Sequence, residues 1–264
     1  MLICSFEAGS TKNYISKHRR EPQMNFISML AALIGFAPPV ALMFISLRNY
    51  TYPKVEKPYF SDPTFFGMFA VGIFLGVVLY AVSIVIPGYF FLAFVIEELV
   101  KLVILNLRRF QLKADTPFYA FGLGAGMAAA LAFGTMNAAI SGMSESGVEI
   151  ASVVIMIMIS VQTALLTIST SVTVGIGAAR GRMWSYFAQA VVIHLAVFLL
   201  GYKLTTGGFD TIGYVLYGLS IVFVFLYYWY LFNKIFPSYV KEALRHLAKQ
   251  TARKERRERQ QQKH

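Results

Sequence analysis

Long apolar runs, separated by short polar connections, fill the chain from residue 24 to residue 232. Runs of about twenty residues are long enough to cross a bilayer as α-helices. The pattern predicts seven transmembrane helices, at 24–47, 65–86, 88–107, 118–142, 150–179, 184–203 and 211–232. The second and third of these are separated only by Pro87-Gly88, a tight-turn signal. The predicted fold class is therefore all-α, a polytopic membrane protein.

Three regions follow from this pattern. Residues 1–23 form an N-terminal extension, residues 24–232 the seven-helix membrane domain, and residues 233–264 a basic tail. The composition agrees, since 57% of the residues are hydrophobic and only 14% are charged. A soluble domain carries about 25% charged residues. The single cysteine, Cys4, excludes an internal disulfide framework and any cysteine-based metal or redox motif.

Lysine and arginine are concentrated on alternate connections. One side carries Arg48, Lys54, Lys57, Arg108, Arg109, Lys113, Arg180 and Arg182, and the tail adds ten more basic residues. The connections of the other side carry only Lys203, and the connection at 143–149 is acidic. By the positive-inside rule the N-terminus lies outside and the C-terminus is cytoplasmic. Four basic residues before position 21 oppose this topology, and residues 1–23 have no apolar signal-peptide core. We therefore hypothesise that translation begins at Met24.

The net charge of +11 has two interpretations. The tail KEALRHLAKQTARKERRERQQQKH predicts a helix that passes into a disordered basic end, attracted to anionic lipids. Nucleic acid is not an expected partner, because no aromatic side chains alternate with these charges.

Three charged residues, Glu97, Glu98 and Lys101, lie in the middle of the third apolar run. An isolated charge at that depth costs about 2.5–3.5 kcal/mol, so these side chains must face protein or a water-filled cavity. Their i,i+3 and i,i+4 spacing places them on one helix face. Two carboxylates outnumber one ammonium, so either one glutamate is protonated or another polar group balances it. The other ionisable side chain deep in a predicted span is His194, which is able to act as base, acid or hydrogen-bond partner.

Two further runs carry a pattern on one helix face. In the fourth, small residues four apart allow close approach of neighbouring helices: Gly122, Gly126, Ala130 and Gly134. Thr135 and Asn137 add polarity near its end. In the fifth, a polar face is formed by Ser160, Thr163, Thr167 and Ser171. The alternative for this face is structural, since such hydroxyls commonly bond their own helix or a neighbour.

The motifs FVIEELVKLVILNLRR and FYAFGLGAGMAAALAFGTMN resemble the PrsW-type intramembrane proteases. Those proteases carry Glu-Glu-x-x-Lys on one helix and a Gly/Ala-rich helix ending in Phe-x-x-x-Glu, and they share a superfamily with the CAAX prenyl proteases. The chain is also similar to the anterior-pharynx-defective subunit of gamma-secretase, through Gly35-Phe36-Ala37-Pro38-Pro39 and the stretch GIGAARGRMWSYFAQAVVIH. Together the resemblances cover residues 24–232.

The resemblance implies site residues. Glu97, Glu98 and Lys101 match the first motif, Phe133 matches the second, and His194 matches the last. Three positions depart from the family: Asn137 replaces an acid, Thr167 a histidine, and Phe198 an acid. The implied chemistry is hydrolysis, with Glu97 or Glu98 activating water and with His194 and Asn137 polarising the scissile carbonyl. Spans three to six would line a polar cavity, with Phe133, Thr135, Thr163, Thr167 and Ser171 as its supporting residues.

The resemblance implies no cofactor, and a metal ion stays an open alternative with few ligands. The implied partner is a membrane-anchored peptide or protein substrate in a cell membrane. The main rival is a non-catalytic scaffold within a membrane protein complex, as the gamma-secretase subunit is. A proton-coupled carrier is a third class, opposed by the lack of an internal repeat.

Overall fold

The computed structural model describes residues 21–51, 54–55, 59–86, 90–141, 150–205 and 210–261. Apart from the connections, this part of the chain is helical: α1 Glu21–Leu47, α2 Asp62–Val85, α3 Phe90–Leu105, α4 Thr116–Ser141, α5 Ile150–Arg180, α6 Met183–Thr205, α7 Thr211–Tyr230 and α8 Phe236–Gln261. A π-helical turn, Leu231–Ile235, joins α7 to α8 without a break. The predicted turn at Pro87-Gly88, the acidic connection 143–149 and residues 1–20 lie outside the described residues.

Six helices are long and apolar enough to cross a membrane, which indicates a polytopic membrane protein. They are Ser28–Leu47, Asp62–Val85, Thr116–Ser141, Ser152–Arg180, Met183–Lys203 and Thr211–His246. The predicted third span is the exception. The described helix, α3, has 16 residues, which corresponds to about 24 Å against the roughly 30 Å hydrocarbon core; residues 87–89 before it lie outside the described residues. The basic tail differs too, because α8 continues through its arginine-rich stretch to Gln261.

The Gly/Ala-rich helix α4 is the centre of the bundle and is buried over most of its length. It packs on α2 almost backbone to backbone. A Cβ built on Gly126 would lie 2.0 Å from the Phe69 carbonyl oxygen of α2, and one on Gly72 would lie 2.2 Å from that of Leu123. The predicted close approach of neighbouring helices at the small residues of α4 is confirmed.

On its other side α4 packs against α5, and α5 in turn packs against α6. A Cβ on Gly124 of α4 would lie 2.6 Å from the Ser171 hydroxyl oxygen of α5. The short helix α3 lies against α5 and α6. Its outward face is apolar and exposed at Leu92, Leu99 and Val103, whereas Lys101 and Leu105 on the opposite face are fully buried. The charged side of α3 therefore faces the protein, which is what the burial cost of its charges requires.

At one end of the bundle, α8 contacts the connection between α3 and α4. The Tyr239 hydroxyl donates to the carbonyl oxygens of Lys113 (3.4 Å) and Ala114 (3.2 Å). Arg180, at the end of α5, pairs with Glu242 of α8 at 2.6 Å. These contacts join α8 to the connection between α3 and α4 and to the end of α5.

Candidate functional site

Lys101 is the centre of a buried polar cluster. Its ammonium lies 2.7 Å from Glu97 Oε1 and 2.7 Å from Glu98 Oε1. It also donates a hydrogen bond to Thr170 Oγ1 of α5 at 2.8 Å. An ammonium has three N–H donors. In the described residues, two of them have hydrogen-bond acceptors, Glu98 Oε1 and Thr170 Oγ1, whereas Glu97 Oε1 forms an ion pair without a hydrogen bond. Lys101 and Glu98 are both 0% exposed.

His194 of α6 closes the cluster from the other side. Its Nδ1 lies 3.0 Å from Glu98 Oε1, and its Nε2 lies 3.9 Å from Glu97 Oε2. The ring packs against Phe94, with 5.9 Å between centroids. Three helices (α3, α5 and α6) thus contribute side chains to one cluster, which we call the Lys101 cluster: Glu97, Glu98, Lys101, Thr170 and His194.

The charges of the Lys101 cluster depend on one proton. With both glutamates ionised, Lys101 charged and His194 neutral, the cluster carries a net charge of −1. A proton on His194 or on one carboxylate makes it neutral.

One edge of the cluster is more accessible than the rest. The side chains of Glu97 and His194 are 10% and 13% exposed, against 0% for Lys101 and Glu98. The accessible atoms are therefore on the side of Glu97 Oε2 and His194 Nε2. In the described part of the chain, the buried atoms Glu97 Oε1, Glu98 Oε2 and Ser169 Oγ have no hydrogen-bond partner.

Thr170 was not among the residues that the sequence predicted. Neither were Thr173 and Tyr227, whose hydroxyl oxygens lie 2.6 Å apart between α5 and α7. The run from Ser169 to Thr173 carries polar side chains around the whole helix, so the pattern alone does not select a face. The sequence contains one indication that a further polar side chain is needed. A buried ammonium has three N–H donors, and the two glutamates next to Lys101 supply only two acceptor groups.

The predicted polar face of α5 points elsewhere. The Ser160 hydroxyl donates to the Ile34 carbonyl of α1 at 2.7 Å. The Ser171 hydroxyl and the Thr167 carbonyl lie against Gly124 of α4. Thr167 is buried, and its carbonyl accepts a hydrogen bond from Thr170 Oγ1 of the Lys101 cluster at 3.3 Å. In the described residues, no side-chain hydrogen bond links Thr167 or the half-buried Thr163 to the cluster. The contacts of Ser160 and Ser171 with α1 and α4 are of the packing kind that was left open for this face.

The predicted residues of α4 also lie apart from the cluster. Phe133 packs against Phe36 of α1, with 6.4 Å between ring centroids. The Thr135 hydroxyl bonds the Leu131 carbonyl of its own helix at 2.9 Å. Asn137 is 13 residues beyond Gly124, the α4 residue level with the Thr167–Ser171 turn, which is about 20 Å along the helix axis. The structure does not bring Asn137 near Glu97 or His194.

Glu97, Glu98 and His194 are the described residues that offer a metal ion a ligand set, with ligand atoms within 4.8 Å of one another. Two carboxylates and one imidazole are chemically acceptable ligands. The position between the carboxylates, however, holds the Lys101 ammonium, 2.7 Å from each of them. A metal cation there would have to displace a buried cation that already pairs with both carboxylates and donates hydrogen bonds to Glu98 and Thr170.

Comparison with known proteins adds no assignment. No protein-family model, no curated protein and no solved structure matches this chain.

Proposed function

We propose that this protein is an intramembrane protease, related to the PrsW type, that hydrolyses peptide bonds of membrane-anchored substrates. The observation that carries the proposal is the 3.9 Å separation of Glu97 Oε2 and His194 Nε2 at the accessible edge of a buried charged cluster. A water molecule can hydrogen-bond to both atoms at that spacing. A carboxylate and an imidazole on one water are the groups that acid–base hydrolysis requires.

In this mechanism the accessible side chains of Glu97 and His194 perform the chemistry, and the buried side chains around them hold them in position. Glu97 accepts a proton from the water as the water oxygen attacks the scissile carbonyl carbon. The proton then passes to the leaving nitrogen as the carbon–nitrogen bond breaks, and His194 stabilises the charge that develops on the carbonyl oxygen. Lys101, Glu98 and Thr170 hold the pair in position, since their side chains are buried and hydrogen-bonded.

We further propose a topology. The six candidate spans and the shorter α3 form seven membrane-embedded helices, with the N-terminus outside and the C-terminus cytoplasmic. The alternating distribution of lysine and arginine supports this orientation.

The experiment uses the purified full-length protein in liposomes with a membrane-anchored reporter peptide. We expect Glu97→Gln to lower cleavage by about 10²–10⁴-fold, the usual contribution of a general base, in protein that circular dichroism shows to be folded at the assay temperature. The matched control is Glu242→Gln, an equivalent change at the exposed ion pair with Arg180, which should leave cleavage unchanged. Unaltered cleavage in both Glu97→Gln and Glu98→Gln would remove the catalytic assignment.

A second candidate function is a non-catalytic membrane scaffold, and one observation favours it. Asn137, the carbonyl-polarising residue that the family resemblance implied, is about 20 Å along α4 from the level of the cluster. In a scaffold, the Lys101 cluster would serve only to hold α3, α5 and α6 together. A scaffold should co-purify with a membrane protein partner and show no cleavage, and Glu98→Gln should reduce both partner recovery and thermal stability.

A further inference from the structure

A groove outside the Lys101 cluster lies where α2 begins and the connection after α3 passes over it. It has a volume of about 350 Å³, and its walls include Thr64, Gly67 and Val71 of α2 together with Arg109 and Phe110. This is within the range of small-ligand sites. One end of the groove is polar and the other is apolar, so an amphipathic ligand matches it.

The polar end is formed by the Arg109 guanidinium. Arg109 Nη2 donates to Thr64 Oγ1 at 3.4 Å, and its central carbon lies 5.8 Å from the centroid of the buried Phe110 ring. A guanidinium has five N–H donors in a planar fork. Among the described residues, Thr64 is the one that accepts a hydrogen bond from the Arg109 guanidinium. Its other N–H donors are therefore left for a ligand, and a phosphate fits their geometry best.

The apolar end follows α2 into the membrane. Gly67 has no side chain, and a Cβ built there meets nothing within 4 Å. Met68 is buried beneath it, and Val71 one turn further is 39% exposed. From Thr64 to Val71 the helix rises about 10 Å. The groove therefore descends from the start of a candidate span toward the hydrocarbon core.

We propose that this groove binds one phospholipid with an anionic headgroup, its phosphate on Arg109 and one acyl chain along α2 between Thr64 and Val71. The connection carries three basic residues, Arg108, Arg109 and Lys113, against two acidic residues at this end, Asp115 on the connection and Asp62 at the start of α2, so the headgroup end has a net charge of +1. An anionic headgroup is therefore preferred over a zwitterionic one. The groove includes no residue of the Lys101 cluster, so this inference does not depend on the protease proposal.

The test measures lipid binding to the detergent-purified full-length protein by native mass spectrometry, with dioleoyl-phosphatidylglycerol as the probe. We expect Arg109→Gln to lower its affinity about fivefold, the effect of one basic residue near a lipid surface. Gly67→Leu fills the acyl groove without a clash and should lower affinity as much or more. Two controls match these changes: Arg182→Gln at another exposed arginine, and Gly218→Leu on α7, where a Cβ also meets nothing within 4 Å.

Loss in both groove variants with binding retained in both controls supports the site. Equal loss in Arg109→Gln and Arg182→Gln indicates general charge attraction and overturns it. Phosphatidylcholine binding as tightly as phosphatidylglycerol, or inorganic phosphate competing fully, overturns the anionic-lipid assignment. If Gly67→Leu proves misfolded by circular dichroism, the comparison of the two arginine variants still decides the outcome.

Discussion

Replacing Lys101 with methionine removes the one cation buried between two carboxylates while nearly preserving side-chain volume. In the wild type the ammonium lies 2.7 Å from both Glu97 and Glu98, and it is 0% exposed. The variant leaves both carboxylates without that cation and Thr170 without its donor. Breaking a buried ion pair by removing one partner costs about 3–5 kcal/mol. For a chain of this size that corresponds to a fall of about 6–20 °C in unfolding temperature.

The assay is thermal unfolding in detergent micelles, followed by circular dichroism. Lys241→Met, at an exposed position on α8, is the control for loss of a lysine and should change the unfolding temperature little. The double variant Lys101→Met/Glu98→Gln restores the wild-type charge count in the cluster. We therefore expect it to be less destabilised than the sum of the two single variants, by about 0.5–3 kcal/mol. A fall below about 1 kcal/mol for Lys101→Met, or strict additivity in the double variant, would refute the electrostatic reasoning.

Three further predictions test other parts of the structure by the same unfolding assay. Gly126→Ala should lower the free energy of unfolding by about 1–3 kcal/mol, because its Cβ would lie 2.0 Å from a backbone oxygen of α2. The control Gly67→Ala places its Cβ in open space and should not lower it. Equal effects of the two substitutions would contradict the close packing of α2 and α4. Thr170→Val should cost about 1.5–3 kcal/mol by leaving the buried ammonium one acceptor short, and a neutral effect would exclude that hydrogen bond. The hydrogen bond from Lys203 holds the pKa of Asp210 below its ordinary value. That ion pair stabilises the fold above about pH 4 and is lost as the pH falls further. The difference in unfolding temperature between wild type and Asp210→Asn should therefore vanish in acid. A difference in unfolding temperature that does not change with pH would contradict this prediction.

The sequence predicted those features that depend on neighbours along the chain. Apolar runs of sufficient length predicted the helices, and six of them are candidate spans in the structure. The four-residue spacing of Gly122 and Gly126 predicted close helix contact, and both glycines lie against α2 carbonyl groups. The sequence predicted the length of α3 less well. This sixteen-residue helix with three charges reaches the length of a transmembrane span only when the residues that flank it are counted.

The candidate site could be predicted only in part. Glu97, Glu98 and Lys101 belong to one helix, so their spacing fixed their common face. His194 was identified because ionisable side chains are rare in apolar spans, and it does contact Glu98. Thr170 was missed, and Asn137 was grouped with residues from which it is separated. The Thr170 error concerns which face of α5 meets α3, a property that a helix polar on several sides does not reveal. The Asn137 error concerns the level along α4, which depends on how neighbouring helices are offset in the bundle.

The sequence by itself determined that two acids and a base share one helix face and must be shielded from lipid. Only the tertiary structure decided what shields them, since Thr170 and His194 come from positions 69 and 96 residues along the chain from their partners. Helix periodicity is a local property, whereas the pairing of helix faces depends on the packing of the whole bundle.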